Sequence, residues 1–465
     1  MEAGAALGRS EIRRVMIGLC LAMFLSALDQ TIVATALPTI GAELGDFADS
    51  PWIVTSYLIA STVVTPLYGK LADIHGTRVM LLVGIAVFVG GSVACALAPN
   101  MALLVAARGL QGAGGGGLIS LAQTALADMV TPLERGRYQT YISVVFVTSS
   151  VAGPALGGFF AHYLHWSLIF WINAPLGILA FSIANKTLKR LPLRTHPHRL
   201  DGLGALLLGA ASGLLAYSLS GRGGAAASSL ALLALDALFW ALFVWRLRRA
   251  EEPFIPLSLL QNAVARDATI SSAFGLGSFI GLSVVMPLYF EGVLGMSADQ
   301  SGTALIPVMA GTVVGATVSG RMMPHIAGYK LPALAGLAIA ALSAAALAGL
   351  AQSLALPWLV ALLTAFSLGV GAMLPICTVS MQNAVDPRHL GSATATMQFV
   401  RQIACALVVA ALGALVTGSG EPGSQAFALA DLVMRFRFAF AVVGVCTAMA
   451  LFFLARMEAK PLRGK

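Results

Sequence analysis

The chain has 465 residues, of which 58% are hydrophobic and only 10% charged, and its mean hydropathy is +0.87. Soluble domains carry about a quarter charged residues, so the composition excludes a soluble globular protein and predicts an all-α integral membrane protein. The net charge of +8 comes mainly from basic residues in loops, so it predicts topology and gives no reason to expect nucleic-acid binding.

Fourteen apolar stretches are each long enough to cross the hydrocarbon core as a helix, which takes roughly 20 residues. In chain order they are 15–37, 52–72, 79–98, 101–127, 138–162, 167–186, 203–220, 228–247, 269–291, 302–323, 331–351, 356–382, 392–417 and 433–456. With the N-terminus in the cytoplasm, most of the 28 Lys and Arg residues fall in cytoplasmic loops and tails, as the positive-inside rule requires. We therefore expect a multi-pass protein of the cell inner (plasma) membrane, with cytoplasmic N- and C-termini.

The loops divide the fourteen predicted helices into three groups. Two long basic stretches bracket the pair 203–220 and 228–247, which leaves six helices on each side. The turn "GKLADIHGTR" (69–78) is also weakly similar to a second stretch, "GRMMPHIAGYK" (320–330). Parallel six-helix repeats build one large class of transporters. The predicted domains are an N-terminal six-helix bundle, two inserted linker helices and a C-terminal six-helix bundle, at 1–195, 196–262 and 263–465.

Sequence motifs of enzymes are missing. The chain has no Walker nucleotide motif, no H-E-x-x-H and no G-x-S-x-G. The run "GAGGGG" (112–117) satisfies G-x-G-x-x-G, but it lies inside an apolar stretch with no preceding strand, so close helix packing is the better explanation. We expect no enzymatic activity, no cofactor, no metal and no bound nucleotide.

Two opposite charges lie inside the apolar stretches. Asp29 is the sole charged residue of 15–37, where an ionised carboxylate costs at least ~2.5 kcal/mol. At a rise of ~1.5 Å per residue, Asp29 lies ~12 Å and Arg108 ~10 Å below the outer ends of their helices. The pair is either a structural salt bridge or a proton-exchanging pair that lines a cavity. The second interpretation is favoured because intramembrane ionisable groups are usually functional.

Several motifs occur in a fixed order along the first six predicted helices and their turns. They are "LDQTIVATALP" (28–38), "WIVTSYLIA" (52–60), "GKLADIHGTR" (69–78), "ARGLQGAGGGG" (107–117), "SSVAGPALGG" (149–158) and "FWINAPLG" (170–177). They resemble the signatures of the major facilitator superfamily, in particular its fourteen-helix drug:proton antiporters of the QacA/EmrB type. The two central helices and "QFVRQ" (398–402) fit the same group. The resemblance implies a major facilitator fold with two six-helix bundles and two extra helices.

The resemblance also implies roles for individual residues. Asp29 and Arg108 would couple transport to protons. The residues of the conformational gate and of the antiporter motif, which favours export over uptake, would be Gly69, Asp73, Arg78, Gly153, Pro154, Gly157 and Gly158. On physical grounds, Asp73 could accept hydrogen bonds from another helix's N-terminus while pairing with Arg78 or Arg135. Two positions depart from the pattern: Ser149 stands where a glycine is usual, and Pro324 near where an acid would be expected in the second half.

We interpret the chain as a proton-coupled multidrug efflux antiporter, linked to antibiotic resistance, that exports amphipathic and lipophilic compounds, cationic ones among them. Its partners would be protons, a small amphipathic molecule and the lipid bilayer. Polar substrate contacts near the midplane are expected from Tyr57, Gln111, Gln123, Asn173 and Gln382.

Three alternatives to drug efflux stay open from sequence. The protein could export an endogenous solute such as a siderophore, lipid or amino acid. It could be a proton-driven uptake symporter, against which the glycine–proline pattern of 149–158 argues. It could be a membrane sensor or scaffold that transports nothing. Asp236, a second acid within a predicted span, has no assigned role.

Overall fold

The computed structural model describes residues 9–44, 50–190, 201–219, 226–250, 255, 259, 261–326, 328–417, 429–459 and 461–462. Over these residues the chain forms helices and turns, without a β-strand. In chain order the α-helices are α1 (Arg9–Leu44), α2 (Pro51–His75), α3 (Thr77–Ala96), α4 (Met101–Gly115), α5 (Leu118–Met129), α6 (Pro132–Tyr163), α7 (Leu168–Trp171), α8 (Asn173–Thr187), α9 (Gly202–Leu219), α10 (Ala226–Arg249), α11 (Ala263–Gly292), α12 (Ala298–Met322), α13 (Leu331–Leu350), α14 (Leu356–Ala384), α15 (Leu390–Thr417) and α16 (Leu429–Arg456).

Within the described part of the chain, 11 helical segments are long and apolar enough to cross a membrane. The three remaining predicted spans are also helical. The stretch 101–127 is divided into α4 and α5, and the other two correspond to α9 and α10. The apolar part of α9 is short, Gly202–Leu215, and α10 carries Asp236 in its centre. The all-α membrane fold is thus confirmed, whereas the count of fourteen spans stays a prediction.

The glycine run 112–117 explains both the break between α4 and α5 and their packing. A Cβ at Gly112 would lie 2.4 Å from the backbone oxygen of Tyr57, and one at Gly116 would lie 2.3 Å from that of Ser61. Only glycine permits α4 to approach α2 so closely. Consecutive glycines also weaken a helix, by about 1 kcal/mol each relative to alanine. The run therefore serves packing, as the sequence indicated.

By packing, the chain divides into two compact units. Unit 1 comprises Met1–Val130, Val144–Leu260 and Val385–Phe399, and unit 2 comprises Thr131–Ser143, Gln261–Ala384 and Val400–Lys465. Within unit 1, α1 packs on α8, and α4 packs on both α2 and α3. Within unit 2, α14 packs on α12 and α13, and α11 packs on α16. The helices α9 and α10 pack on each other, and α9 contacts α2. The domain boundaries near 195 and 262 stay predictions.

Candidate functional site

Asp29 on α1 and Arg108 on α4, both in unit 1, form a buried ion pair. Arg108 Nη1 donates to Asp29 Oδ2 at 2.6 Å, and the two residues are 1% and 0% exposed. Arg108 also donates through Nε to the backbone oxygen of Ile53 at 3.0 Å, and through Nη1 to Gln111 Oε1 at 2.7 Å. The similar depths calculated from helical rise therefore correspond to direct contact between α1 and α4.

Amide donors occupy the other carboxylate oxygen of Asp29. Oδ1 accepts from Gln111 Nε2 at 2.7 Å and from Asn173 Nδ2 at 3.3 Å. Both amides also donate to Ser92 Oγ, at 3.1 and 2.9 Å, and the Ser92 hydroxyl donates to the Phe170 backbone oxygen at 2.9 Å. Four helices, α1, α3, α4 and α8, thus contribute side chains to one network. These bonds offset the desolvation that makes an isolated buried ion pair unfavourable.

Aromatic rings enclose the guanidinium of Arg108. Its Cζ lies 4.3 Å from the centre of the Tyr57 ring and 5.7 Å from that of Phe170, both within range of a cation–π interaction. The Tyr57 hydroxyl lies 3.2 Å from Ser26 Oγ, and Ser26 donates to the Gly115 backbone oxygen at 3.2 Å. Ser26 and Asp29, three residues apart on α1, lie on the same face of the helix. That face points to the interior of unit 1.

The residues predicted to contact substrate are distributed unevenly. Tyr57, Gln111 and Asn173 lie in the network of the charge pair and are at most 1% exposed. Gln123 is buried on α5 and gives no bond to this network within the described chain, and Gln382 is buried on α14 in unit 2. Substrate contact by these five residues stays a prediction.

Sequence reasoning missed Ser92, which accepts from two amides and is fully buried. The one available signal was a lone hydroxyl next to two glycines in an apolar stretch, "VGGSV". That signal is weak, because most such serines bond to the backbone of their own helix.

Asp73, near the C-terminal end of α2, binds the first turn of α15 within unit 1. Its two carboxylate oxygens accept from the backbone N–H groups of Gly391 and Ser392, each at 2.9 Å, and the Ser392 hydroxyl donates to Oδ2. The first N–H groups of a helix lack partners in the helix and carry partial positive charge. A Cβ at Gly69 would lie 2.7 Å from the Gly391 oxygen, so glycine there allows this contact.

The expected ion pair between Asp73 and Arg78 is not formed. Arg78 instead donates through Nη2 to Asn185 Oδ1 at 2.6 Å. The turn at Gly76 separates the two helices, since Asp73 lies on α2 and Arg78 in the first turn of α3, which packs on α8. In unit 2, Arg135 lies 3.5 Å, Nη1 to Oε1, from Gln382.

Two glycines of α6 pack against the helix that carries Asp29. A Cβ at Gly153 would lie 2.0 Å from Thr31 Oγ1, and one at Gly157 would lie 2.3 Å from Thr35 Oγ1. Thr31 Oγ1 also donates to the Ser149 backbone oxygen at 3.0 Å. Pro154 lies inside α6, and a Cβ at Gly158 would meet nothing within 4 Å. The motif 149–158 therefore controls how closely α6 approaches α1.

Unit 2 contains a buried arginine of its own, Arg401 on α15, which is 5% exposed. It donates through Nε to Ser272 Oγ and through Nη2 to Thr378 Oγ1, each at 3.0 Å. Asp236 on α10, the acid without an assigned role, is 7% exposed. Its Oδ1 has no hydrogen-bond partner among the described residues.

Comparisons with known proteins agree with this architecture. The model of the Major Facilitator Superfamily matches residues 19–199 and 200–409. The chain is 32% identical over 418 residues to "Multidrug transporter protein MdtP" of Bacillus subtilis, which covers 88% of this chain and 76% of that one. It is 33% identical over 413 residues to "Efflux pump dotC" of Dothistroma septosporum, covering 86% and 71% of the two chains.

Solved structures share the fold at low sequence identity. The human organic anion transporter MFSD10 superposes with a TM-score of 0.69 at 18% identity and covers 95% of this chain and 99% of its own. A bacterial homologue of the iron transporter ferroportin gives a TM-score of 0.68 at 12% identity, over 96% and 99% of the chains. The predicted resemblance is confirmed. This protein is a multi-pass membrane transporter rather than an enzyme, and it belongs to the Major Facilitator Superfamily.

Proposed function

We propose that the protein is a proton-coupled antiporter that exports amphipathic and lipophilic compounds across the cell inner membrane. The observation that carries the proposal is the fully buried Asp29–Arg108 pair, in which the carboxylate of Asp29 contacts side chains of two other helices, α4 and α8. Relatives named as a multidrug transporter and an efflux pump support the direction and the substrate class.

Protonation of Asp29 would remove the charge that holds Arg108 and weaken its bonds to Gln111 and Asn173. Because these partners belong to α4 and α8, a proton on Asp29 would loosen the packing of α1 in unit 1. Gly153 and Gly157 of α6 pack on the same helix, so a shift of α1 would reach α6 directly. This chain of contacts gives the proton a route to a change of conformation.

Asp73 would act at a second point. Its bonds to Gly391 and Ser392 hold the end of α2 to the start of α15. We propose that this contact is the gate on the cytoplasmic side, made in one transport state and broken in the other. The full topology in this proposal is fourteen spans with both termini in the cytoplasm.

The proton gradient supplies enough free energy for such export. One proton that enters down ~100 mV releases about 2.3 kcal/mol. At ~1.4 kcal/mol per factor of ten, that corresponds to a concentration ratio of roughly 40 for a neutral substrate, and further protons would multiply it.

Transport by purified protein tests the proposal. Inside-out proteoliposomes with an acidic lumen should accumulate ethidium, a lipophilic cation, as protons leave. Collapse of the pH gradient with nigericin should stop accumulation, and protein-free liposomes give the background. Ethidium accumulation that persists after nigericin, or none with any of a panel of lipophilic cations, would refute proton-driven export of this class.

A further inference from the structure

Arg401 is a buried cation without a carboxylate partner. Its two bonds go to the neutral hydroxyls of Ser272 on α11 and Thr378 on α14, and among the residues that the structure describes it forms no ion pair. Asp267, a buried acid on the same helix as Ser272, is already bound to Arg266 at 3.0 Å and lies 3.6 Å from Arg456. An arginine keeps its charge at neutral pH, so the site holds an uncompensated positive charge.

Such a charge is costly in a membrane protein. Arginines within membrane segments pair with acids or with backbone carbonyls, or they face a water-filled cavity that often serves as a ligand path, because an isolated buried ion loses its hydration. Arg108 follows this rule, since it is neutralised by Asp29. None of the described residues does this for Arg401, so an anion from outside them would complete the site.

The two hydroxyls hold the guanidinium in a fixed orientation. Ser272 donates its own proton to the Thr269 backbone oxygen, and Thr378 donates to that of Leu374, each at 2.9 Å. Both hydroxyls therefore present lone pairs to Arg401. A guanidinium has five N–H donors, and these contacts use one on Nε and one on Nη2. The Nη1–Nη2 end keeps donors on both nitrogens, which is the fork that binds two coplanar oxygens.

We propose that Arg401 binds the carboxylate of transported substrates, and that Ser272 and Thr378 position it. This proposal rests on the proposed export function and adds a substrate class to it: amphipathic molecules with a carboxylate, whether anionic or zwitterionic. A monoanion is favoured over a phosphate dianion because it cancels the single positive charge, as Asp29 does for Arg108. The planar fork also favours two carboxylate oxygens over a spherical halide.

A matched pair of probes tests the site. Binding of naphthalene-2-carboxylate and naphthalene-2-carboxamide to purified protein in detergent is measured by isothermal titration calorimetry at pH 7.5. The probes share shape and apolar area and differ in charge. The wild type should bind the carboxylate at least ~10-fold more tightly, the range for hydrogen bonds to a charged group. Arg401→Gln should bind both probes equally.

Arg437→Gln is the control for loss of a positive charge in unit 2. Arg437 is exposed and donates to the Ala348 backbone oxygen, so this variant should keep the full preference for the carboxylate. Equal affinity of the wild type for the two probes would overturn the proposal, as would a preference that survives Arg401→Gln.

Two milder variants keep the test decisive if Arg401→Gln does not fold. Arg401→Lys keeps the charge and loses the fork, and Thr378→Val keeps the shape and loses the acceptor. Each should reduce the preference about threefold or more, since each weakens one charge-assisted bond. An unchanged preference in both would contradict the proposal. Chloride that binds only when Arg401 is present, with no carboxylate preference, would replace it with an inorganic anion site.

These measurements separate the substrate site from the proposed function. Binding is recorded at equilibrium without a proton gradient, so it does not depend on proton coupling. A preserved carboxylate preference in a protein that fails to export ethidium would leave this site in place and refute only the antiport mechanism. A lost preference with normal ethidium export would do the reverse.

Discussion

Arg108 in unit 1 and Arg401 in unit 2 are both buried within apolar helices, and the described residues around them differ. In unit 1, Arg108 lies 2.6 Å from Asp29, and amides and aromatic rings complete its surroundings. In unit 2, Arg401 bonds to Ser272 and Thr378 and has no acid among its described partners. The charge of Arg108 is therefore balanced by Asp29, whereas the charge of Arg401 is balanced by no acid among the described residues.

The two similar turn sequences, 69–78 in unit 1 and 320–330 in unit 2, also differ in charge. A Cβ at Gly69 would lie 2.7 Å from the backbone oxygen of Gly391. A Cβ at Gly320 would lie 2.3 Å from the backbone oxygen of Gly136. Both units therefore keep a glycine-to-glycine contact at the end of a helix. Four residues after the first glycine stands Asp73, which binds a helix N-terminus. The equivalent residue after Gly320 is Pro324, which has no acceptor side chain.

The two acids for which we propose roles in transport both belong to unit 1. Both Asp29 and Asp73 lie there, and their counterparts in unit 2 are hydroxyls and a proline. Glycines at close helix contacts thus occur in both units, whereas the two acids to which we assign roles lie in unit 1. We expect substitutions of equal size to affect proton coupling in unit 1 and ligand selectivity in unit 2.

Asp29→Asn should have the largest effect. The amide keeps the shape but cannot titrate, so proton-driven ethidium accumulation should fall to the background of empty liposomes. It also leaves Arg108 buried without a counter-charge, which should cost about 3–5 kcal/mol of stability, measured by thermal unfolding in detergent. Asp431→Asn, which removes an exposed acid on α16, should change neither. Accumulation at the wild-type rate in Asp29→Asn would show that Asp29 is not the coupling carboxylate.

The double variant Asp29→Asn/Arg108→Gln measures how much Asp29 and Arg108 stabilise each other. Each single variant leaves one buried charge alone, whereas the double variant removes both. Its loss of stability should therefore be smaller than the sum of the single losses by about 1–3 kcal/mol. Thermal unfolding of the three variants forms the cycle. Strict additivity would mean that the two charges do not stabilise each other.

Thr378→Asp should remove the asymmetry by giving Arg401 an internal carboxylate. Thr378 Oγ1 lies 3.0 Å from Nη2, and the carboxylate oxygens of an aspartate extend one bond further from the backbone, towards the guanidinium. The new ion pair should reduce the preference for naphthalene-2-carboxylate over its amide to within about twofold, since a neutralised arginine no longer attracts an anion. Thr364→Asp, on the same helix and away from Arg401 in sequence, is the control. A preference that persists in Thr378→Asp would separate Arg401 from anion binding.

Asp73→Ala should have the smallest effect on stability. It removes the acceptor for the first N–H groups of α15, and the loss of such a helix cap costs about 0.5–2 kcal/mol. Pro324→Ala is the matched control in unit 2 and should lie within about 0.5 kcal/mol of the wild type. If Asp73 is the gate, its loss should favour the inward-open state, seen as greater labelling of engineered cysteines from the cytoplasmic side. Labelling that is unchanged from the wild type on both sides would leave Asp73 as a helix cap alone.

Local patterns in the sequence sufficed for the helices and for part of the site. Hydropathy identified the apolar helices because a membrane helix satisfies its backbone hydrogen bonds within its own segment, so the signal is local. Helical rise placed Asp29 and Arg108 at one depth, because depth depends only on position along a helix. The glycine run 112–117 indicated close packing for the same local reason. In α10 the apolar pattern is interrupted by Asp236, so composition alone does not decide whether this helix spans the membrane.

The tertiary structure decided which side chains meet. Asp73 accepts hydrogen bonds from Gly391 and Ser392, which are 318 and 319 positions away in the sequence. Arg78 donates to Asn185 on α8 and not to Asp73. Ser92 became the centre of a hydrogen-bond network, although as a lone serine it carried little signal. The sequence by itself determined the helices, their order and the depth of their charges, since these follow from each segment's own residues. Only packing, which sets the neighbours and the rotation of each helix, determined that Arg108 contacts an acid while Arg401 contacts two hydroxyls among the described residues.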